Sequence, residues 1–170
     1  YNQFATTPTG YVPGQDKQYL VAFAQLPNAA SLDRTEEVIR EMSRIAMEHP
    51  GVSDAVAFPG LNINGFTNSP SSGILFTPLK PFDERQSPEL SAGAIAAKLN
   101  QQFASIKGAY VAIFPPPPVM GLGTIGGFRL QVEDRGNLGF EALERVTQEV
   151  IGKAWAHPAL TGSFTSFTVA

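Results

Sequence analysis

The sequence predicts an α+β fold: one complete β-α-β-β-α-β unit, followed by the β-α-β half of a second unit. Three observations support this prediction. Apolar residues recur with the two-residue period of strands and the 3.6-residue period of helices, in that order. Proline and glycine separate these segments. The end of the chain also repeats its beginning at a constant offset of 108 residues.

The first strand is predicted at residues 18–26 (QYLVAFAQL), and Pro27 ends it. Apolar residues occupy both of its faces: Tyr19, Val21 and Phe23 on one, Leu20, Ala22 and Ala24 on the other. Because successive side chains point to opposite faces of a sheet, both faces are expected to be buried. This strand should therefore lie in the middle of its sheet.

The first helix should begin after Ser31, a favourable N-cap, and end at Pro50 and Gly51. Its apolar residues fall on a single stripe at helical spacing: Val38, Ile39, Met42, Ile45 and Ala46. A stripe of this kind predicts a helix packed against the sheet on one side.

Strand-like residues follow at 52–58 and 73–79, and the segment 59–72 between them is predicted to be a long loop. It carries no charge, and its two glycines and two prolines argue against a helix or a central strand. Its large apolar residues, Leu61, Ile63 and Phe66, are unusual for a solvated loop. Two interpretations stay open: a hairpin tip with apolar residues tucked onto the core, or a gate that offers an apolar surface to a ligand. We expect it to be the most mobile internal segment, at the mouth of a cleft between the two units.

A second helix is predicted at residues 92–107 and a fourth strand at 109–114, which four prolines at 115–118 end. The buried side of this helix should carry Ile95, Leu99, Phe103 and Ile106. The order of elements is that of a ferredoxin-like fold, in which the strands lie in the spatial order 4-1-3-2.

The repeat predicts a strand at 127–133, a helix marked by Leu143, Val146, Val150 and Ala154, and a strand at 163–169. His49-Pro50, for example, recurs as His157-Pro158. We therefore divide the chain into an extended lead-in at 1–15, a ferredoxin-like unit at 16–119, a hinge at 120–126 and half of a second unit at 127–170. The two strands of this half would flank an empty slot, since the strand that belongs between them is not among these residues. We expect the slot to be filled by another segment or a neighbouring molecule, or the last strand to be displaced.

Composition excludes several classes of function. A net charge of −3 and scattered basic residues argue against nucleic acid as a partner. The absence of cysteine excludes disulfides and a thiol nucleophile, and two histidines are too few for most metal sites. No apolar run approaches the roughly 18 residues that cross a bilayer. A start at Tyr1 without Met suggests a piece of a longer protein.

Motifs with catalytic potential have simpler interpretations. Residues 121–126 (GLGTIG) match G-x-G-x-x-G by letter, but they follow prolines and precede a strand, so a hinge is expected and no cofactor. His49 and His157 each stand at a helix end, where the protonated ring would interact favourably with the helix dipole. Asp83, Glu84 and Arg85 should form a solvated turn with a local ion pair. We therefore predict no enzyme: no catalytic residues and no metal.

Four stretches together resemble the resistance-nodulation-division family of proton-driven multidrug efflux pumps, in its hydrophobe/amphiphile exporter branch. They are PTGYVPGQD at 8–16, QLP at 25–27, LKPFDER at 79–85 and LGTIGGF at 122–128. The resemblance covers essentially the whole chain. It implies that residues 16–119 are the first C-terminal porter subdomain and that residues from 127 open the second. The full-length protein would then lie in the bacterial inner membrane, with this segment in the periplasm.

The resemblance also implies a function, namely binding amphiphilic drugs in an apolar pocket and passing them on past a switch loop. Expected partners of the full pump are its two sister protomers in a homotrimer, a periplasmic adaptor protein and an outer-membrane channel. The switch loop would comprise Gly60, Leu61, Asn62, Ile63, Asn64, Gly65 and Phe66. Substrate-binding positions would be Val21, Phe23, Gln25, Leu61, Ile63, Phe66, Ala112, Phe114, Pro116, Thr124, Thr165 and Phe167.

Two departures from the family pattern alter these expectations. Leu61 and Ile63 stand where family members often carry phenylalanine, which argues against aromatic stacking there. Gly121 stands where an acidic pocket residue is common, which argues for a weaker attraction to cationic drugs. The alternative hypothesis is a free-standing sensor domain of ferredoxin-like fold that binds a small ligand.

Overall fold

The structure is a computed structural model that describes residues 15–63, 66–117 and 130–160, together with residues 163, 165, 167 and 169. It divides into two compact units, Tyr1–Gly127 and Phe128–Ala170. The helices and strands of the first unit are β1 Tyr19–Gln25, α1 Leu32–Met47, β2 Val56–Asn62, β3 Thr67–Pro78, α2 Ala92–Phe103 and β4 Tyr110–Phe114; the second unit contains α3 Phe140–Trp155. No helix among the described residues is long and apolar enough to cross a membrane.

The four strands form one antiparallel sheet in the order β2-β3-β1-β4. This is the spatial order 4-1-3-2, so the predicted ferredoxin-like α+β fold is confirmed for the first unit. The prediction that β1 is central is confirmed as well, because β1 pairs with β3 on one side and with β4 on the other. Its five interior residues are all buried.

The two faces of the sheet carry separate apolar clusters. On one face, α1 and α2 cover the main core, to which β1 contributes Leu20, Ala22 and Ala24. On the other face, Val21 and Phe23 pack with Ile63 and Ile74 in a smaller cluster. Alternation along β1 therefore divides its side chains between a core covered by α1 and α2 and a face that these two helices leave uncovered.

Helix α1 begins where predicted, with the Arg34 N–H donating to the Ser31 hydroxyl at 3.3 Å. The helix then packs closely on β3 at Gly73, where a Cβ atom would lie 2.7 Å from the Ile39 side chain. One turn earlier, the Thr35 hydroxyl donates to the Pro70 carbonyl at 2.6 Å. Helix α1 is thus attached to the β2–β3 hairpin as well as to the core.

The prediction of a long loop at 59–72 is wrong, because β2 and β3 extend through most of it as a hairpin. Pro59 is tolerated because β2 is an edge strand, and the N–H groups on the outer side of an edge strand have no neighbouring strand to bond. Gly60 has a φ of +82° and lies at a bulge where the register shifts. Pro70 falls in the stretch of β3 opposite this bulge, outside the regular ladder. The mobility predicted for this segment stays a prediction.

Two boundaries also differ from those predicted. Helix α2 ends at Phe103 rather than at 107, because the N–H groups of Ser105 and Ile106 bond three residues back in tighter turns. Ile106 still packs against the core. The predicted second strand begins four residues late, since only Val52 makes an isolated bridge before β2 starts at Val56.

Arg85 corrects the prediction of a solvated turn with a local ion pair. Its side chain is 1% exposed and pairs with the distant Asp16, with Nη1 3.0 Å from Oδ2. The same guanidinium donates to the Lys80 carbonyl at 2.7 Å and to the Leu90 carbonyl at 2.8 Å. A buried arginine with all of these partners is a structural tie between the start of the sheet and the connection to α2.

The second unit confirms the helical part of the repeat. Helix α3 begins and ends 108 residues after α1. In both turns that follow, the histidine Nδ1 accepts a hydrogen bond from the N–H two residues later: Gly51 N–H to His49 at 3.1 Å, and Ala159 N–H to His157 at 3.2 Å. Burial, with Lys98 nearby, lowers the pKa of His49, which disfavours the protonated form of that ring. The interaction of the protonated rings with the helix dipole stays a prediction.

The strands predicted at 127–133 and 163–169 are not formed in the parts that the structure describes. Residues 130–133 and the described residues near the end adopt no ladder. A strand requires a partner for its backbone groups, and the described part of this unit offers none. The Trp155 indole instead donates to the Ser163 carbonyl at 3.0 Å. The lead-in before residue 15 and the predicted hinge lie outside the described residues.

Candidate functional site

The uncovered face of the sheet is the candidate site, and we call it the apolar face. Strand pairing defines it, because residues directly opposite each other share a face. Val21 lies between Phe76 and Phe114, and Phe23 lies between Ile74 and Ala112. The next pair of rungs places Gln25 between Ser72 and Tyr110, and Val56 and Phe58 continue the face onto β2. None of these side chains carries a charge.

Aromatic rings cover much of the apolar face. The ring of Phe23 lies 5.8 Å from that of Tyr110 and 6.0 Å from that of Phe114, measured between centroids. Phe58 meets Phe76 edge to face at 5.8 Å. Phe23 is buried, whereas Phe58 is 42% exposed and Tyr110 is 50% exposed. The face therefore has a packed centre and an exposed aromatic rim, a surface suited to apolar ligands of varied shape.

The β2–β3 hairpin adds two further residues to the apolar face. The bulge at Gly60 changes the alternation of β2, so that Leu61 and Ile63 pack with the same cluster that Phe58 borders. Ile63 is buried there, and Leu61 is half-buried. Phe66 does not join them: it is 62% exposed, with a φ of +52°. The tip of the hairpin thus covers the face with an aliphatic side chain and not with an aromatic one.

A polar network closes the end of the apolar face next to the hairpin. The Gln25 carbonyl oxygen accepts from the Ser72 hydroxyl at 2.9 Å. The Gln25 amide donates to the carbonyls of Leu26, at 2.9 Å, and Ser71, at 3.3 Å. Asn62 donates to the Ser72 hydroxyl at 3.2 Å, and the Ser69 hydroxyl lies 3.3 Å from it. Gln25, Asn62, Ser69 and Ser72 form what we call the polar lock.

The structure brings together about half of the positions predicted to bind substrate. The apolar face gathers Val21, Phe23, Leu61, Ile63, Ala112 and Phe114. Gln25 lies at the edge of that face in the polar lock, and Pro116 is buried beyond the end of β4. Thr124, Asn64 and Gly65 lie outside the described residues.

Thr165 and Phe167 belong to the second unit. There the Phe167 N–H donates to the Thr165 hydroxyl at 3.1 Å, and the Phe167 ring lies 6.5 Å from that of Phe140. A role in ligand binding stays a prediction for these two residues, as for the positions on the apolar face.

Sequence reasoning missed Tyr110, Phe58, Ile74 and Phe76 as members of the apolar face. The signal for Tyr110 was available, because it alternates with Ala112 and Phe114 along one strand. Phe58 was harder to place, since assigning it to a face requires the register of β2 on β3. The chemistry of the apolar face is limited to apolar contact and a few polar groups. Within the described ranges, no three His, Asp or Glu side chains lie together as metal ligands would.

Comparison with known proteins identifies the family. The model of the AcrB/AcrD/AcrF family matches residues 1–169. The chain is 37% identical over 153 residues to the multidrug/solvent efflux pump membrane transporter MepB of Pseudomonas putida. The aligned residues make up 89% of this chain and 14% of that protein. A toluene efflux pump membrane transporter of the same species, TtgB, is 36% identical over 153 residues, with the same coverage of 89% and 14%. The multidrug export protein AcrF of Escherichia coli (strain K12) is 29% identical over 159 residues, 92% of this chain and 15% of the relative.

The chain thus spans about a seventh of the length of these relatives. The match to the family model extends over nearly every residue, and it includes all four stretches that carry the resemblance found in the sequence. That resemblance is confirmed, and the chain belongs to the AcrB/AcrD/AcrF family of resistance-nodulation-division multidrug efflux transporters.

Proposed function

We propose that this chain is a periplasmic porter segment of a proton-driven multidrug efflux transporter, and that its apolar face binds amphiphilic drugs and passes them on. The observation that carries the proposal is the face itself: an uncharged surface of aromatic and aliphatic side chains that the helices leave uncovered. Burial of apolar area contributes about 25 cal/mol per Å² whatever the ligand, so such a surface accepts many ligands.

The relatives support a transporter over a sensor domain, since their names describe efflux pumps for multiple drugs, solvents and toluene. By resemblance to this family, we propose a homotrimer that works with a periplasmic adaptor protein and an outer-membrane channel. Proton coupling would take place elsewhere in the whole protein, so this segment would bind ligands and catalyse nothing.

Within this proposal, the tip of the β2–β3 hairpin acts as the switch loop. Support comes from Ile63, which lies next to the tip and belongs to the same buried cluster as Val21 and Phe23. Movement of the tip would therefore cover or uncover the centre of the apolar face. The tip is much shorter than the loop predicted from the sequence, since β2 ends at Asn62 and β3 begins at Thr67.

The test compares exposed apolar residues on and off the apolar face. Phe58→Ser and Tyr110→Ser remove aromatic rim, and Met47→Ser removes an equally exposed apolar side chain at the end of α1. Each variant is made in the intact transporter, expressed in a host without its own efflux pumps, and protein levels are checked by immunoblot. A buried phenyl ring contributes about 1.5–3 kcal/mol, so we expect the rim variants to weaken drug affinity at least about tenfold.

The readout is the concentration of apolar drug that the cells survive, together with efflux of a fluorescent amphiphile. The rim variants should reduce both, and Met47→Ser should reduce neither. Equal resistance in all variants at equal protein level would contradict the assignment of the apolar face as a drug-binding surface.

A further inference from the structure

Gln25 was predicted to contact substrate, but in the structure its side chain forms hydrogen bonds within the protein. Both hydrogens of its amide are used by backbone carbonyls, those of Leu26 and Ser71. Two carbonyls can only face the NH2 end of the amide, so the carbonyl oxygen of Gln25 must point the other way, where it accepts from Ser72. A ligand would have to break this arrangement to use either end of Gln25.

The partners of Gln25 tie three strands together at one point. Gln25 ends β1, Ser69 and Ser72 lie in β3, and Asn62 is the last residue of β2. Ser72 is buried, and its hydroxyl accepts a hydrogen bond from the Asn62 amide and donates one to the Gln25 carbonyl oxygen. The network is partly buried, and hydrogen bonds between side chains of adjoining strands help to fix the strands that they join.

The regular ladder between β2 and β3 is interrupted where the polar lock lies. Between Pro59 and Leu61 the register of β2 on β3 shifts, and the residues of β3 from 69 to 72 have only Gly60 opposite them. Pairing of β1 with β3 reaches Gln25 and Ser72, and the Leu26 N–H still donates to the Ser71 carbonyl at 2.8 Å. Between β2 and β3, side-chain hydrogen bonds take the place of backbone bonds at this level.

We propose that Gln25 is a positioning residue: through the polar lock it holds the hairpin so that Ile63 stays seated on Phe23. This inference rests on the proposed function of the apolar face, because it describes what sets access to that face. An intact polar lock keeps Ile63 over the centre of the cluster. A broken one loosens the tip end of the hairpin, while the ladder between β1 and β3 stays paired, and leaves Val21 and Phe23 open to a ligand.

Hydrogen exchange on the 170-residue chain tests the proposal directly. Gln25→Leu removes every hydrogen bond of this side chain at similar size, and Ser72→Ala breaks the polar lock without changing Gln25. Both should lower the protection of the hairpin amides at 61–63 and 67–69 by about tenfold or more, since each lost bond lowers the free energy of local opening. Protection at Leu20 and Ala22, in the middle of the sheet, should change less than about threefold.

Gln25→Glu makes hairpin protection depend on pH, a dependence that general destabilisation of the fold would not produce. Above its pKa the carboxylate faces the Leu26 and Ser71 carbonyls with no proton to donate, so the polar lock opens. Below its pKa the protonated acid donates to one carbonyl and accepts from Ser72, so the polar lock closes again. Hairpin protection, corrected for the intrinsic pH dependence of exchange, should therefore rise in this variant between about pH 7.5 and about pH 4.5. No such rise is expected in the unmodified chain or in Gln25→Leu.

Gln101→Leu is the matched control, since Gln101 is an exposed glutamine of α2 and its replacement should leave hairpin protection unchanged. Unchanged hairpin protection in both Gln25→Leu and Ser72→Ala would overturn the proposal. So would an equal loss at Leu20, which would indicate general destabilisation.

Binding of the neutral fluorophore N-phenyl-1-naphthylamine separates this inference from the proposed function. An open polar lock should increase its binding to Gln25→Leu by about threefold or more, because Ile63 no longer covers Phe23. Reduced binding with unchanged protection would make Gln25 a ligand contact and overturn the inference alone. Absence of binding to any variant, with the predicted loss of protection, would contradict the apolar face as a binding surface and leave the polar lock standing.

Discussion

Two buried threonines allow the energetics of the fold to be tested with one chemical change. Thr77 and Thr35 are both 0% exposed. The Thr77 hydroxyl has no hydrogen-bond partner within the described residues, whereas the Thr35 hydroxyl donates to the Pro70 carbonyl at 2.6 Å. Replacement by valine changes the hydroxyl into a methyl group of similar size in each case. The expected effects on the free energy of unfolding have opposite signs.

Thr77→Val should stabilise the protein by about 1 kcal/mol. A buried hydroxyl without a partner costs about 1–3 kcal/mol, and valine avoids that cost while filling the same space in β3. Thr35→Val should destabilise the protein by about 1–2 kcal/mol, because it removes the hydroxyl that donates to the Pro70 carbonyl and leaves that carbonyl without this donor. For a domain of this size, 1 kcal/mol corresponds to a shift of about 4 °C in melting temperature.

Urea unfolding at neutral pH, followed by circular dichroism, measures both free energies, and calorimetry gives the melting temperatures. Thr67→Val, at an exposed position of β3, is the control and should change stability by less than about 0.5 kcal/mol. A Thr77→Val variant less stable than the unmodified chain would refute the assignment of an unpaired hydroxyl in the core. A neutral Thr35→Val variant would show that the bond to Pro70 does not hold the hairpin on α1.

The remaining predictions concern the buried arginine and the free edge of the sheet. Burial acts to raise the pKa of Asp16, but hydrogen bonds from Arg85 and from the backbone outweigh it and hold the pKa below its usual value. Because the pKa is lower in the folded state, Asp16 contributes stability above about pH 4, and this contribution is lost as pH falls through the folded pKa. In Asp16→Asn, the free energy of unfolding by urea should therefore depend less on pH between about pH 5 and about pH 2. The Asn100 side chain donates to the Ile113 carbonyl at 2.7 Å and accepts from the Ile113 N–H at 3.0 Å, on the edge strand β4. Asn100→Leu should therefore lower the free energy of unfolding by about 1–3 kcal/mol in the same assay. The unpaired edge should also increase association of the chain, measured by light scattering. A steeper acid response in Asp16→Asn, or a monomeric Asn100→Leu of full stability, would contradict these accounts.

Much of the first unit could be predicted from the sequence because its signals are local. The apolar stripe of α1, its Ser31 cap and the two-sided burial of β1 all follow from periodicity, and the structure confirms each of them. The same local signals misplaced the hairpin, since Pro59 and Gly60 look like loop residues. Only the edge position of β2 and the bulge at Gly60 make them compatible with a strand, and both are properties of the whole sheet.

Long-range pairing explains the other misses. Arg85 could not be paired with Asp16 from the sequence, because 69 residues separate them. The faces of Val21, Phe23, Ala112 and Phe114 followed from alternation and family resemblance. The role of Gln25 depended on two hydrogen bonds to β3, which the sequence does not reveal. The predicted strands of the second unit had the right composition, but strand formation depends on partners that composition does not reveal.

The most direct test of the central claim is to map ligand binding on the 170-residue chain by NMR. Amide and methyl resonances are followed while a neutral amphiphile is titrated below its micelle concentration. The account predicts saturable shifts that centre on Val21, Phe23, Ala112 and Phe114, with little change at the helix-covered residues Ile39 and Leu99. Saturable shifts confined to α1 and α2, or no saturable shift at any residue, would contradict the assignment of the apolar face as the drug-binding surface.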